Sequence, residues 1–246
     1  MQTEEVILVT GSNSGFGRVL VESLARKGYA VYASMREASG RNAAANGELI
    51  SLAQRDNLSL HVVELDVTDE ASVDNAVRQV VVKEGRIDVL VNNAGVSYRG
   101  ATEAFTVEQL QSLFDANFFG VARTNRAVML YMRRQRSGLI ILMSSGGGQM
   151  VYPFMGAYSA SKFADEALSR SYRYDLSKYG VDSVMIEPVW HQPPILGKQV
   201  RPADADRLAE LGGISDIWER MDEGIAAMFA GCDPPTSGMW LTWCTG

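Results

Sequence analysis

Tyr158-Ser159-Ala160-Ser161-Lys162 places a phenol and an ammonium four residues apart, a spacing that puts both on one face of a helix and lets both enter one cleft. A tyrosine, with a reference pKa of about 10, is a poor acid or base near neutrality, and an adjacent cation stabilises its phenolate. Lys162 is spaced to do that. By itself the pair also describes a surface helix contact, so its surroundings decide. Ser144-Ser145 closes an apolar run and precedes Gly146-Gly147-Gly148, which presents a hydroxyl at the C-terminal edge of a strand, where open α/β sheets bind ligands. The alternative is a serine in a flexible glycine turn. Another apolar run ends in Asn92-Asn93-Ala94-Gly95, and an apolar helix carries the lone amide Asn117 beside Phe118-Phe119-Gly120. A buried amide there needs partners.

A second group of residues suits a nucleotide. Val6-Ile7-Leu8-Val9 runs into Thr10-Gly11-Ser12-Asn13-Ser14-Gly15-Phe16-Gly17, three glycines that open a helix after a strand. Glycines permit the tight turn and let backbone N–H groups at a helix N-terminus approach a pyrophosphate. The bland alternative is an ordinary βα turn. About 20 residues further on, where an acidic side chain would hold the adenosine ribose, stand Met35 and Arg36. A guanidinium can pair with a 2′-phosphate, and no carboxylate occupies that place to repel it, so NADP(H) is expected over NAD(H). Glu37 is close by, and Arg36 could also be a solvated loop charge. Asp66-Val67 either touches adenine, or Asp66 caps the helix starting near Thr68.

These positions require a sheet to hold them. Short apolar runs at 6–9, 30–33, 60–65, 89–91, 139–143 and 184–186 read as buried parallel strands, and amphipathic stretches at 18–27, 71–83, 110–135 and 158–179 as crossover helices. The pattern predicts an α/β Rossmann-like doubly wound parallel sheet flanked by helices, one domain over 1–246 with a substrate lid around 189–228 and a loose loop at 38–47. A net charge of −6 offers no footprint for nucleic acid or anionic lipid. No apolar stretch approaches the roughly 20 residues of a membrane helix, and the polar start does not form a signal peptide, so a cytoplasmic location is expected. Cys232, Cys244, His61 and His191 do not combine into a metal site. The partner expected is a small molecule.

On these residues the chain resembles the short-chain dehydrogenases/reductases over roughly residues 5–188. Gly11, Gly15 and Gly17 match the family's glycine motif, Asn92 to Gly95 its Asn-Asn-Ala-Gly motif, and Asn117, Ser145, Tyr158 and Lys162 its catalytic tetrad. The Met35-Arg36 pair is similar to NADP-preferring members, steroid and retinol dehydrogenases among them. The resemblance implies an oxidoreductase acting on an alcohol or ketone and a homodimer or homotetramer. It implies that Tyr158 is the general acid/base, that Ser145 binds the substrate oxygen and that Lys162 holds the nicotinamide ribose. Asn117 is then expected to bind a water linking Lys162 to solvent. Ser12, Asn13, Ser14 and Phe16 would belong to the cofactor loop, with Asn93, Ala94, Gly95 and Pro188 also against the cofactor. Competing readings are a silent NADP-binding sensor or scaffold and, ranked last, an epimerase or dehydratase using the same Tyr-Lys pair.

Two segments depart from the family. Pro188-Val189-Trp190-His191-Gln192-Pro193 replaces a Pro-Gly-x-x-x-Thr motif, losing a glycine, a hydroxyl and a backbone N–H. Farther on, residues 195–228 supply apolar lid positions such as Ile195, Leu208, Ile217 and Trp218, which suit a bulky apolar substrate or simply pack the lid on the core. The second departure, Met239-Trp240-Leu241-Thr242-Trp243-Cys244, stands where the family has a final helix and strand. With suitable synonymous codons, one G inserted after the Pro188 codon restores Pro-Gly-Val-Ala-Pro-Thr. One G after the Gly238 codon gives Gly-Asp-Val-Ala-Asp-Val-Val-His. Both departures are therefore expected to be single-nucleotide deletions. Sequencing the gene checks this, because codons incompatible with these readings would rule it out.

Overall fold

The computed structural model describes residues 5–188 and 199–229. Six strands, β1 (Val6–Val9), β2 (Ala30–Met35), β3 (Leu60–Glu64), β4 (Val89–Asn92), β5 (Gly138–Met143) and β6 (Val181–Ile186), form one sheet in the order β3-β2-β1-β4-β5-β6. Every pairing is parallel. Strands with helices on both faces read as continuous apolar runs, and β1 and β2 are buried at every position. Side chains alternate between faces. Val6 and Leu8 join one core with Val73, Val77, Val128 and Met132, while Ile7 and Val9 join the other with Val21, Ala25, Leu49 and Leu52. The first core seats α3 (Glu70–Glu84), α5 (Gly120–Gln135) and the end of α6 (Gly156–Leu176); the second seats α1 (Gly15–Arg26) and α2 (Ala43–Asp56).

The doubly wound parallel sheet expected from sequence is present. Three local expectations need correction. The loop expected over 38–47 becomes helical from Ala43, because Leu49 and Leu52 bury themselves on the sheet and draw the weakly apolar alanine run into α2. The helix expected over 110–135 is broken into α4 (Val107–Phe114), a π-helical turn (Asp115–Phe119) and α5. Asp66 does not cap α3: Asp69 does, accepting from the Ala71 and Ser72 N–H groups, while Asp66 closes a tight turn by accepting from the Thr68 N–H and hydroxyl at 2.9 and 2.7 Å. Two further helices, α7 (Ala205–Glu210) and α8 (Ile214–Phe229), follow β6. Among the described residues no helix is long and apolar enough to cross a membrane. The departures at 189–193 and 238–244, with His191, Ile195, Cys232, Cys244 and any last strand, lie outside the described residues.

Candidate active site

The chain order of the strands reverses between β1 and β4, and a crevice at such a switch point is where open α/β sheets take ligands. The loops after these two strands are stitched together across it. Thr10 Oγ1 accepts from the backbone N–H groups of Asn93 and Ala94, both at 3.0 Å, and Asn93 Nδ2 donates to the Thr10 and Gly11 carbonyls at 2.9 and 3.0 Å. This contact leaves no room for side chains. A Cβ on Gly11 would lie 2.8 Å from Ala94 Cα, and one on Gly17 would meet the Gly11 carbonyl and Asn93 Nδ2. Gly15 differs: it is held at φ +60°, and the direction a side chain would take is open. The Ser14 side chain makes no capping hydrogen bond to α1, and the first N–H groups of a helix have no partner within the helix, as a phosphate requires. Ser12 anchors the loop's start by donating to the Val9 carbonyl at 3.0 Å. Beyond it, Phe16 packs into the second core.

Arg36 follows buried Met35 and is exposed at the end of β2. Asn42 ties this corner to the glycine loop: it donates to the Arg36 carbonyl at 2.6 Å and accepts from Asn13 at 2.9 Å. Asp66 and Val67 are half-buried beside the same crevice, Val67 lying so close to Gly120 that a Cβ there would approach it to 2.9 Å.

The C-terminal edge of β5 and the start of α6 bring the catalytic candidates together. Gly147 measures this: a Cβ on it would lie 3.4 Å from the Tyr158 ring and from Ser159 Oγ, and 3.5 Å from Ser145 Oγ. Ser145 Oγ accepts from the Gly147 N–H at 3.1 Å, which fixes its direction. Lys162 is buried, and its ammonium donates to the Met143 carbonyl at 3.1 Å and to Asp165 at 3.3 Å. Burial disfavours its charge, yet the carboxylate of Asp165, with Tyr158 and Glu166, outweighs burial and leaves the ammonium above its usual pKa. Asn117 is fully buried and all its partners are local to the site. Its Oδ1 accepts from the Val96 N–H at 2.8 Å, and its Nδ2 donates to the Val96 carbonyl and Ser161 Oγ, each at 3.0 Å. The π turn makes this possible, because its extra residue rotates the helix so that Asn117 points inward.

Gly100 packs against Pro202 and the buried Trp218, and Trp218 stacks on Phe154 with centroids 5.8 Å apart. The Arg201 guanidinium lies 3.8 Å from the Trp218 ring centre. Pro188 accepts from the Gly146 N–H at 3.0 Å, tying the end of β6 to the Ser145 loop.

The sequence reading missed Thr10, Asn42, Ser161, Asp165 and Glu166. The last three carried a visible signal: with Tyr158, Lys162 and Ser169 they form a polar stripe at three-to-four-residue spacing along α6, and a polar stripe on a long helix is either solvated or part of a site. Here it is buried. Glu166 accepts from Ser144 at 2.6 Å, Gln149 at 2.5 Å and Arg170 at 3.2 Å, bracing the Ser145 loop.

A family profile described as short chain dehydrogenase matches residues 5–202. The chain belongs to the short-chain dehydrogenase family. It is 37% identical over 185 residues to a 3-ketodihydrosphingosine reductase of Bacteroides thetaiotaomicron, covering 75% of this chain and 63% of that one. It is 38% identical over 188 residues to a 17-beta-hydroxysteroid dehydrogenase type 1 of Mus musculus, covering 74% and 53%. The fold matches a gluconate 5-dehydrogenase of Burkholderia cenocepacia, solved in complex with NADP and tartrate, with a TM-score of 0.71 at 27% identity over 76% of this chain and 72% of that one. This short-chain dehydrogenase spans between half and two thirds of the length of the two relatives. Its family is one of oxidoreductases that use a nicotinamide cofactor, and the open cradle at Gly15 with the close packing at Gly11 and Gly17 fits the pyrophosphate of such a group.

Proposed function

We propose that this chain is an NADP(H)-dependent oxidoreductase interconverting an alcohol and a ketone on an apolar carbon skeleton. The observation that carries the reading is the convergence of Ser145 and Tyr158 at Gly147, on the C-terminal edge of the sheet, with Lys162 one helical turn along α6 and bonded to the Met143 carbonyl at the end of β5. Gly11 to Gly17 and Asn93 to Gly95 hold the dinucleotide, with Asp66 and Val67 toward the adenine and Pro188 at the nicotinamide end. When bound, the nicotinamide supplies or accepts the hydride. Tyr158 donates its phenolic proton to the substrate oxygen in reduction and takes it back in oxidation. Ser145 donates a hydrogen bond to the same oxygen as negative charge develops there. Lys162 keeps positive charge behind the phenol, and Asn117 orders the segment at Val96 and the neighbouring Ser161. Phe154 and Trp218 offer an apolar wall, and the keto and hydroxy substrates named for the two relatives are of the same kind.

Oxidation of NADPH across a panel of apolar ketones tests the reading: ketone-dependent turnover supports it, and NADPH binding with no turnover on any ketone overturns it in favour of a sensor. The NADP preference is assigned to Arg36. Arg36→Asp is expected to shift the NADP/NAD ratio of kcat/KM toward NAD by at least about tenfold, the scale of one lost charge-assisted pair. An unchanged ratio would remove Arg36 from the site.

A further inference from the structure

We propose that Asp165 is a positioning residue for this reaction: its carboxylate holds the Lys162 ammonium from behind and offsets part of its charge, and so sets how strongly Lys162 acts on Tyr158. The inference rests on the proposed reductase reading and deepens it. Asp165 lies three residues beyond Lys162 on α6, fully buried, with Oδ2 3.3 Å from Lys162 Nζ. Its other oxygen, Oδ1, is buried and has no hydrogen-bond partner among the described residues. A buried carboxylate with one oxygen unsatisfied is costly, and a packed apolar side chain would have been cheaper. Its one partner of opposite charge is the ammonium spaced to act on Tyr158.

The charged groups acting on Asp165 are few. Lys162 and Glu166 face it from α6 itself, and Arg170 sits behind Glu166. The segment after β5 brings the neutral Ser144 and Gln149 to Glu166, with Gln149 continuing to the Glu187 carboxylate beyond β6. The π turn presents the neutral Asn117 to Ser161. Burial pushes the Asp165 carboxyl up to about 6, with Glu166 adding to the rise and the charge and hydrogen bond of Lys162 opposing it. Above that pH the carboxylate is ionised and partly neutralises Lys162. Below it the carboxyl is neutral and Lys162 acts on Tyr158 with its full charge.

Two measurements on the full chain test this. Carboxyl ¹³C NMR of aspartate-labelled protein without cofactor should show a group titrating near 6 that disappears in Asp165→Asn, and Lys162→Met should move it upward, since the opposing cation is gone. A carboxyl in the ordinary range near 4, or one unmoved by Lys162→Met, overturns the ion pair. The second measurement is the pH dependence of kcat/KM for ketone reduction. Asp165→Asn should move the high-pH limb down by about one pH unit, the size expected for losing a nearby opposite charge, and erase the inflection near 6 expected in the parent. Asp165→Leu should do the same, and Asp165→Glu should restore the parent limb. Variants that lower kcat equally at every pH would show a structural role only and overturn the proposal. A parent chain with no turnover would sink the reductase reading, and the NMR titration would still decide the ion pair.

Discussion

Tyr158→Phe is expected to lower kcat/KM for ketone reduction by about 10² to 10⁴, the usual contribution of a positioned general acid, while NADPH affinity stays nearly unchanged. The phenyl ring fills the same space beside Gly147, so the fold and the cofactor loop keep their packing. What is lost is the phenolic proton donor of a ring that shares the surroundings of Gly147 with Ser145 Oγ. Steady-state kinetics with a fluorescence titration of NADPH separates the two quantities. Retention of most of the activity would sink the mechanism, since the reading gives the proton transfer to Tyr158 alone. Lys162→Met provides the contrast. Its ammonium is buried against the Met143 carbonyl and Asp165, and the family resemblance implies that it also holds the nicotinamide ribose, so turnover and NADPH binding should fall together.

Gly17→Ala is the second large effect. Its Cβ would sit 2.5 Å from Asn93 Nδ2 and closer still to the Gly11 carbonyl, neither of which can swing away, because Asn93 is already bonded to the Thr10 and Gly11 carbonyls. Overpacking of this kind costs about 1–3 kcal/mol, and the relief available is to push the glycine loop into the open side where the pyrophosphate belongs. NADPH affinity is expected to fall by at least tenfold, the equivalent of about 1.4 kcal/mol, with a Tm lower by about 2–4 °C for each kcal/mol lost in a chain of this size. Gly47→Ala is the control. It lies within α2 with nothing within 4 Å of the added carbon, so the substitution should stabilise the helix by up to about 1 kcal/mol. Isothermal titration and thermal unfolding of both variants check the pair, and unchanged NADPH binding in Gly17→Ala would remove the loop from the cofactor site.

The sequence by itself determined the sheet and pointed to the glycine loop and to Ser145, Tyr158 and Lys162 as candidates. Apolar runs of strand length separated by helix-length segments leave few arrangements other than a parallel sheet, and the glycines after β1 mark the one turn where a backbone must come close to something. A spacing of four from Tyr158 to Lys162 puts both on one helix face whatever surrounds them, because that relation belongs to the helix. Residues joined by a local periodicity were therefore legible.

The tertiary structure decided what depends on which faces meet. Thr10 and Asn93 are 83 positions apart, and only the pairing of β1 with β4 makes them partners. Asn117 is one polar residue on an apolar helix until the π turn rotates it toward Val96 and Ser161. Asp66 and Asp69 are equally good caps by type, and the difference between them lies in a turn that Asp66 closes on itself through Thr68. Asp165 reads in the sequence as one more charge on a long helix, and α2 as a loop, because burial is a property of packing and the chain does not announce which face of a mixed helix will be covered. Docking α6 against β6 and the Ser145 loop buries its polar stripe, and that burial turns an ordinary aspartate into the charge behind Lys162.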